Sequence, residues 1–203
     1  MSVGSRASIE RVRGRGLTGR QAQLFDQLVD LFLAEGFADF TLDDLAGRLR
    51  CSKSTLYALA SSKEQLAVAV VKYFFRRAAG RVEQRTSQAD GPLERVGAYL
   101  SAVARELRPA SARFYQDLAA FPPALEVYGR NTRIAAARVR SLVDEGVRSG
   151  AFRQVHAAFV GEIVSTAMVA IQRGEISERT GLRDAEAYDE LATMLLHGIS
   201  APE

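Results

Sequence analysis

The chain has 203 residues, a formal net charge of +3 and 47% hydrophobic residues, enough apolar material for one large domain or two of ordinary size with a packed core. Its one cysteine, Cys51, and two histidines, His156 and His197, exclude an intrachain disulfide and a thiolate zinc cluster. They leave metal-assisted or Ser-His-Asp chemistry almost nothing to work with, so neither an enzyme nor a metal or cofactor is expected. No apolar run reaches the roughly 18 to 20 residues of a membrane-spanning helix, and the first twenty residues lack an apolar signal core, so no membrane partner and a cytoplasmic location are expected.

Arg6, Arg11, Arg13, Arg15 and Arg20 face only Glu10, and residues 1–19 read as a disordered basic arm, either a solubilising tail or a segment lying along phosphates or in a minor groove. From Leu17 onward apolar residues recur every three or four positions, and no stretch alternates with period two for long, so the chain reads as all-α. Thr18 followed by Gln21 is a capping box for a first helix that presents Leu24, Phe25, Leu28, Leu31 and Phe32 on one face and closes at Gly36. Thr41 with Asp44 opens a short second helix whose inward stripe is Leu42, Leu45, Ala46 and Leu49. Ser52 caps a third, with Leu56 and Leu59 inward and Lys53, Ser54, Thr55 and Tyr57 outward. Ser61 with Glu64 repeats the capping signal for a fourth helix over 62–85, striped by Leu66, Val70, Phe74 and Ala78 and long enough to join two domains. Pro92 opens a fifth helix carrying Leu93, Val96, Leu100, Val103 and Leu107, and Pro109 ends it. A sixth covers 111–120, Pro122 and Pro123 punctuate, and further helices are predicted over 124–149, 155–173 and 184–199.

Three short helices in the first sixty residues, the second and third separated by a turn of three or four residues, are what a helix-turn-helix requires. The second braces against the DNA backbone while the third enters the major groove, so the third must be apolar on one side and short, polar or basic on the other. Leu56 and Leu59 against Lys53, Ser54, Thr55 and Tyr57 meet that demand. Thr41 and Ser52 stand at helix N-termini, where free amides and the positive dipole end favour phosphate, and Lys63 adds a cation.

The stretches Thr41-Leu-Asp-Asp-Leu-Ala46, Ser52-Lys-Ser-Thr-Leu-Tyr57 and Ser62-Lys-Glu64 resemble the DNA-binding signature of the tetracycline-repressor (TetR) family over about residues 21–66. The remainder agrees in length and helical pattern. The resemblance implies a helix-turn-helix domain over 20–66 and a helical effector-binding and dimerisation domain over 67–203. It implies a homodimer on a palindromic operator in double-stranded DNA, with two C-terminal helices of each subunit forming a four-helix interface. Thr41 and Ser52 would contact phosphate, Lys53, Ser54 and Thr55 base edges or backbone, and Tyr57 and Lys63 would clamp the backbone. The sequence departs from the family at the turn, where Arg50 replaces a common glycine. A non-glycine residue at positive φ costs on the order of 1 kcal/mol, so a slightly remodelled turn is expected, with Arg50 offering a cation near the DNA. Ala58-Leu-Ala60 also stands where the family often has bulky aromatics.

In the larger domain Phe74, Tyr99, Phe114, Tyr115, Phe121 and Tyr128 are candidates to line a pocket for a small lipophilic or aromatic effector, with core packing the competing role for each. Phe159, Ile163 and Met168, with Leu191 and Leu195, are candidates for the dimer seam. Cys51 reads as a small filler beside the recognition helix. The expected function is transcriptional repression relieved when an effector tilts the fourth helix; the alternative is a large domain that only dimerises or senses a protein partner. An internal cavity distinguishes the two.

Overall fold

The computed structural model describes residues 17–200; the first sixteen residues of the expected basic arm lie outside them. Ten helices follow one another: α1 (Gly19–Glu35), α2 (Leu42–Arg48), α3 (Lys53–Tyr57), α4 (Lys63–Ser87), α5 (Pro92–Leu107), α6 (Ala112–Ala120), α7 (Pro122–Arg148), α8 (Ala157–Gln172), α9 (Glu175–Thr180) and α10 (Asp184–Ile199). The fold is all-α; among the described residues the one β contact is an isolated bridge between Phe152 and Ser200. No described helix is long and apolar enough to cross a membrane.

Local chemistry sets most boundaries. The Thr18 hydroxyl accepts the Gln21 amide at 3.3 Å and the Gln21 side chain accepts the Thr18 amide at 3.0 Å, so two of the orphan donors at the start of α1 are satisfied reciprocally. For α4 the cap is Ser62, not Ser61: its hydroxyl accepts the Gln65 amide at 3.2 Å, while the Ser61 hydroxyl donates to the Gln65 side chain at 2.6 Å. Pro122 and Pro123 do not interrupt the chain as expected. They are the first two residues of α7, where a missing N–H forfeits no helical bond, and only Phe121 separates α6 from α7. Helix α9 was not expected from the sequence; it is bracketed by Gly174 and Gly181, both left-handed, and buries no side chain, so it has no apolar period to read.

Helices α1 to α3 form a head around Leu28, Leu45, Leu56 and Leu66, each almost fully buried. Burial of side chains of this size stabilises by about 1.5 to 3 kcal/mol each. Helix α4 leaves this head and continues for 25 residues, about 37 Å, into the body. There it packs on α5 and α7, while α8 lies along α7 and α10 along α5. Helices α7 and α8 approach closely: a Cβ at Gly161 would stand 2.7 Å from Cβ of Arg140, so the α8 backbone rests on the aliphatic stem of that arginine.

A second tie joins head and body. The buried Asp117 carboxylate on α6 accepts the amides of Phe37 and Ala38, at 2.5 and 2.8 Å, in the segment after α1, and the Ser111 amide donates to the Leu33 carbonyl at 2.8 Å. Gly36, at φ 80, makes this approach possible, since a Cβ there would meet the Asp117 carboxylate at 2.5 Å. Arg113 extends the tie by pairing with both Asp39 and Asp117.

Candidate nucleic-acid interface

The turn between α2 and α3 is a helix-closing Schellman motif: the Cys51 amide donates to the Ala46 carbonyl at 3.0 Å and the Arg50 amide to the Gly47 carbonyl at 3.2 Å. The motif needs a left-handed residue at position 50, and Arg50 adopts φ 48, the one non-glycine residue at positive φ among those described. The expectation of a remodelled turn is therefore corrected: the turn keeps its geometry and carries the strain. Cys51 is half-buried and packs with the core, which matches the apolar contact that commonly accompanies this motif, and burial pushes its thiol up, away from reactive thiolate.

The caps of the two short helices are internally closed. Thr41 accepts the Asp44 amide at 3.1 Å while the Asp44 carboxylate accepts the Thr41 amide and hydroxyl at 2.8 and 2.6 Å, which holds that carboxyl below its usual range. Ser52 accepts the Thr55 amide at 3.2 Å and lies 2.7 and 2.8 Å from the Ser54 and Thr55 hydroxyls. Both first turns thus present backbone amides on rigid frames.

Leu56 is buried, Leu59 half-buried, and Lys53, Ser54 and Tyr57 form the exposed face of α3, with Tyr57 52% exposed. Thr55 turns half inward, toward its cap. Lys53 is held by Asp43 at 2.6 Å, and that bond raises its ammonium above the usual value; the pair is exposed, so phosphate can exchange for the carboxylate. The Lys63 ammonium donates to the Ala38 carbonyl, joining the start of α4 to the segment after α1. Arg50 is exposed beside Arg20, with no ion-pair partner among the described residues.

In the body a cavity of about 220 Å³ lies between α4, α5 and α7, floored by α8 and α10. Of the expected pocket residues Tyr99 and Tyr128 line it. Phe114, Tyr115 and Phe121 do not; they belong to an aromatic chain in which Tyr128 meets Tyr115 at 6.2 Å, Tyr115 meets Phe114 at 5.7 Å and Phe114 meets Phe37 at 6.2 Å, with Phe121 also beside Phe37. Phe74 faces a separate groove against α1. Phe75, from the same run of aromatics in the sequence, lines it too, whereas the sequence reading missed Val82, Asn131, Met168 and Tyr188 on the cavity wall. Val82 is the next member of the every-fourth-residue stripe of Leu66, Val70, Phe74 and Ala78, which is the signal that was available.

On the outer face Phe159 and Ile163 are 65% and 52% exposed, with Met194 of α10 at 72%. Leu191 and Leu195 are half-buried. Met168 is corrected: it is buried within the subunit and lines the cavity, because nine residues along a helix from Phe159 place it about half a turn away from the seam. His156 caps α8 by accepting the Phe159 amide at 3.2 Å, and no cluster of metal-ligating side chains occurs among the described residues.

A family model for bacterial regulatory proteins, tetR family, matches residues 24–70, which takes in most of α1, all of α2 and α3 and the first turns of α4. The head of the chain thus carries a tetR-family segment. No curated protein matches it. Its fold recurs in a TetR/AcrR-family transcriptional regulator from Thermobifida fusca, at 23% identity and TM-score 0.63 over 89% of this chain and 98% of that one. It recurs in the TetR-family regulator PfmR from Thermus thermophilus, at 22% identity and TM-score 0.60 over 86% and 97%. A transcriptional regulator from Saccharomonospora viridis in complex with choline matches at 14% identity and TM-score 0.69 over 89% and 97%. The likeness extends through the body as well as the head, so the chain shares the fold of these regulators over most of its length.

Proposed function

We propose that the protein is a homodimeric repressor that binds a palindromic operator through α3 and is released by a small molecule entering the body cavity. The observation that carries the reading is the continuity of α4: its first turn is tied to the head through Lys63, and its later turns supply Phe75 and Val82 to the cavity wall. A ligand that moves α4 moves the head, and two heads must match adjacent major grooves, so a small tilt lowers operator affinity. The head is 20–66 and the body 67–203 in this scheme, with α4 shared. In the head Lys53, Ser54 and Tyr57 read or clamp the groove, and Thr41, Arg50, Ser52 and Lys63 lie at backbone positions. Thr55 acts through the cap it makes with Ser52. Phe159 and Ile163, continued by Leu191 and Leu195, form the seam with the second subunit. The cavity favours this reading over a body that only dimerises, and among the similar structures one holds choline, a small ligand of that protein.

Selection of bound DNA from a random pool tests it, followed by salt-dependent binding of the winner. The expected product is a palindrome with half-sites about one helical turn or more apart, lost in the Lys53→Ala, Tyr57→Ala double variant. Weak binding with no sequence preference overturns the reading.

A further inference from the structure

The charges around the cavity sort into paired and unpaired. Arg138 at the mouth donates two hydrogen bonds to Glu83, at 3.0 and 3.2 Å. Glu106 on the wall is held by Arg81 at 2.8 Å and Arg85 at 2.9 Å. No lining cation is therefore free to receive a carboxylate or phosphate, and an anionic ligand would have to break one of these pairs. Asp184, at the start of α10, is different. It is 9% exposed, no cation lies within ion-pair reach of it among the described residues, and its neighbour Arg183 is turned to Glu186 at 2.6 Å. Its recorded side-chain partner is the Tyr128 hydroxyl, 3.3 Å away, and Tyr128 is itself part of the cavity wall. Tyr188, one turn along α10, lines the cavity beside it, and the Tyr115 hydroxyl is buried behind with no hydrogen-bond partner. A lone carboxylate behind the tyrosine end of this wall is costly while the cavity is empty, and a monovalent cation lowers that cost by charge pairing and by contact with the rings.

We infer that the cavity takes a small organic cation, an alkyl- or arylammonium whose charged head lies against Tyr128 and Tyr188 over Asp184 and whose apolar part fills the space toward Phe75, Val82 and Met168. This names the effector class for the site described above and rests on that reading. The volume of about 220 Å³ suits a ligand displacing about seven waters, a single ring or short chain with its ammonium group.

The test is calorimetric titration of the full chain with benzyltrimethylammonium and with neopentylbenzene, which has the same shape with carbon in place of nitrogen. Operator binding is followed in the same samples. The expected result is a preference of at least about tenfold for the cation, with operator release. Asp184→Asn brings the two probes within about threefold by weakening the cation alone, and Asp184→Ser serves if the asparagine variant does not fold. Equal binding of the two probes, binding of neither, or a preference that survives both Asp184 variants overturns the assignment. Release of operator by the uncharged probe alone also overturns it while leaving the effector reading intact, whereas a ligand-free protein that selects no operator removes the regulator reading whatever the cation does.

Discussion

Asp184→Asn is expected to stabilise the protein at neutral pH and to leave its stability unchanged near pH 4. Burial pushes the Asp184 carboxyl up from its ordinary 3.8 to about 6, with the Tyr128 hydroxyl opposing that rise. Because the folded-state value is the higher one, the folded protein keeps a proton between about pH 4 and pH 6 that the unfolded chain has released. Below that window both states are protonated and the group contributes nothing. Above it both are ionised, and the folded state bears the whole penalty of a buried charge. The gap of about two pH units converts to about 3 kcal/mol, with little screening to discount in so buried a group. Urea unfolding followed by circular dichroism at about pH 4, 5, 6 and 7.5, at one protein concentration so that dimer dissociation is held constant, reads the difference. The wild type should lose stability relative to Asp184→Asn as pH rises through the window and then run parallel to it. A difference between the two proteins that is flat across the range would refute the account.

Arg50→Gly should gain about 1 kcal/mol in thermal unfolding by relieving the left-handed backbone, yet bind operator more weakly with a salt slope smaller by about one; undiminished affinity and slope would show that Arg50 makes no phosphate contact. Asp117→Ala leaves the Phe37 and Ala38 amides without their acceptor, so a loss of about 2 to 4 kcal/mol and faster hydrogen exchange at those two amides are expected, with exchange unchanged if the tie is incidental. Phe159→Asp combined with Ile163→Asp should yield a monomer in analytical ultracentrifugation. Met168→Ala should stay dimeric while losing about 2 to 5 kcal/mol, and a monomeric Met168→Ala would return that residue to the seam.

The head was legible because its boundaries are written in local chemistry. Thr18, Thr41 and Ser52 cap the helices that the sequence assigns to them, and the apolar stripes of α1 and α2 face the core, with Leu31, Leu42 and Leu49 half-buried at their edges. Position 50 was legible as a problem but not in its resolution: the resemblance marks a turn position where the family commonly has glycine, while only coordinates show that the surrounding turn imposes positive φ on an arginine. The cavity was largely illegible, since its wall is drawn from five helices and no local period reports which side chains converge. Phe114 and Phe121 look as suitable as Tyr128 in the sequence, yet the tie of α6 to the segment after α1 directs them toward Phe37 instead. Asp184 reads as an ordinary first-turn acid; its isolation follows from Tyr115 and Tyr128, which stand more than fifty residues away.

The contact at Gly161 fixes one crossing point of α7 and α8. There the backbone of α8 is seated directly on the Arg140 stem, and no side chain of α8 separates the two helices at that point. A push on the cavity side of α7 meets this close contact on its opposite face. It must be taken up by the elements on the other side, α4 and α6, which are the two that hold the head. On the proposed mechanism this gives the molecule a direction, with a push from within passed along α4 toward the head.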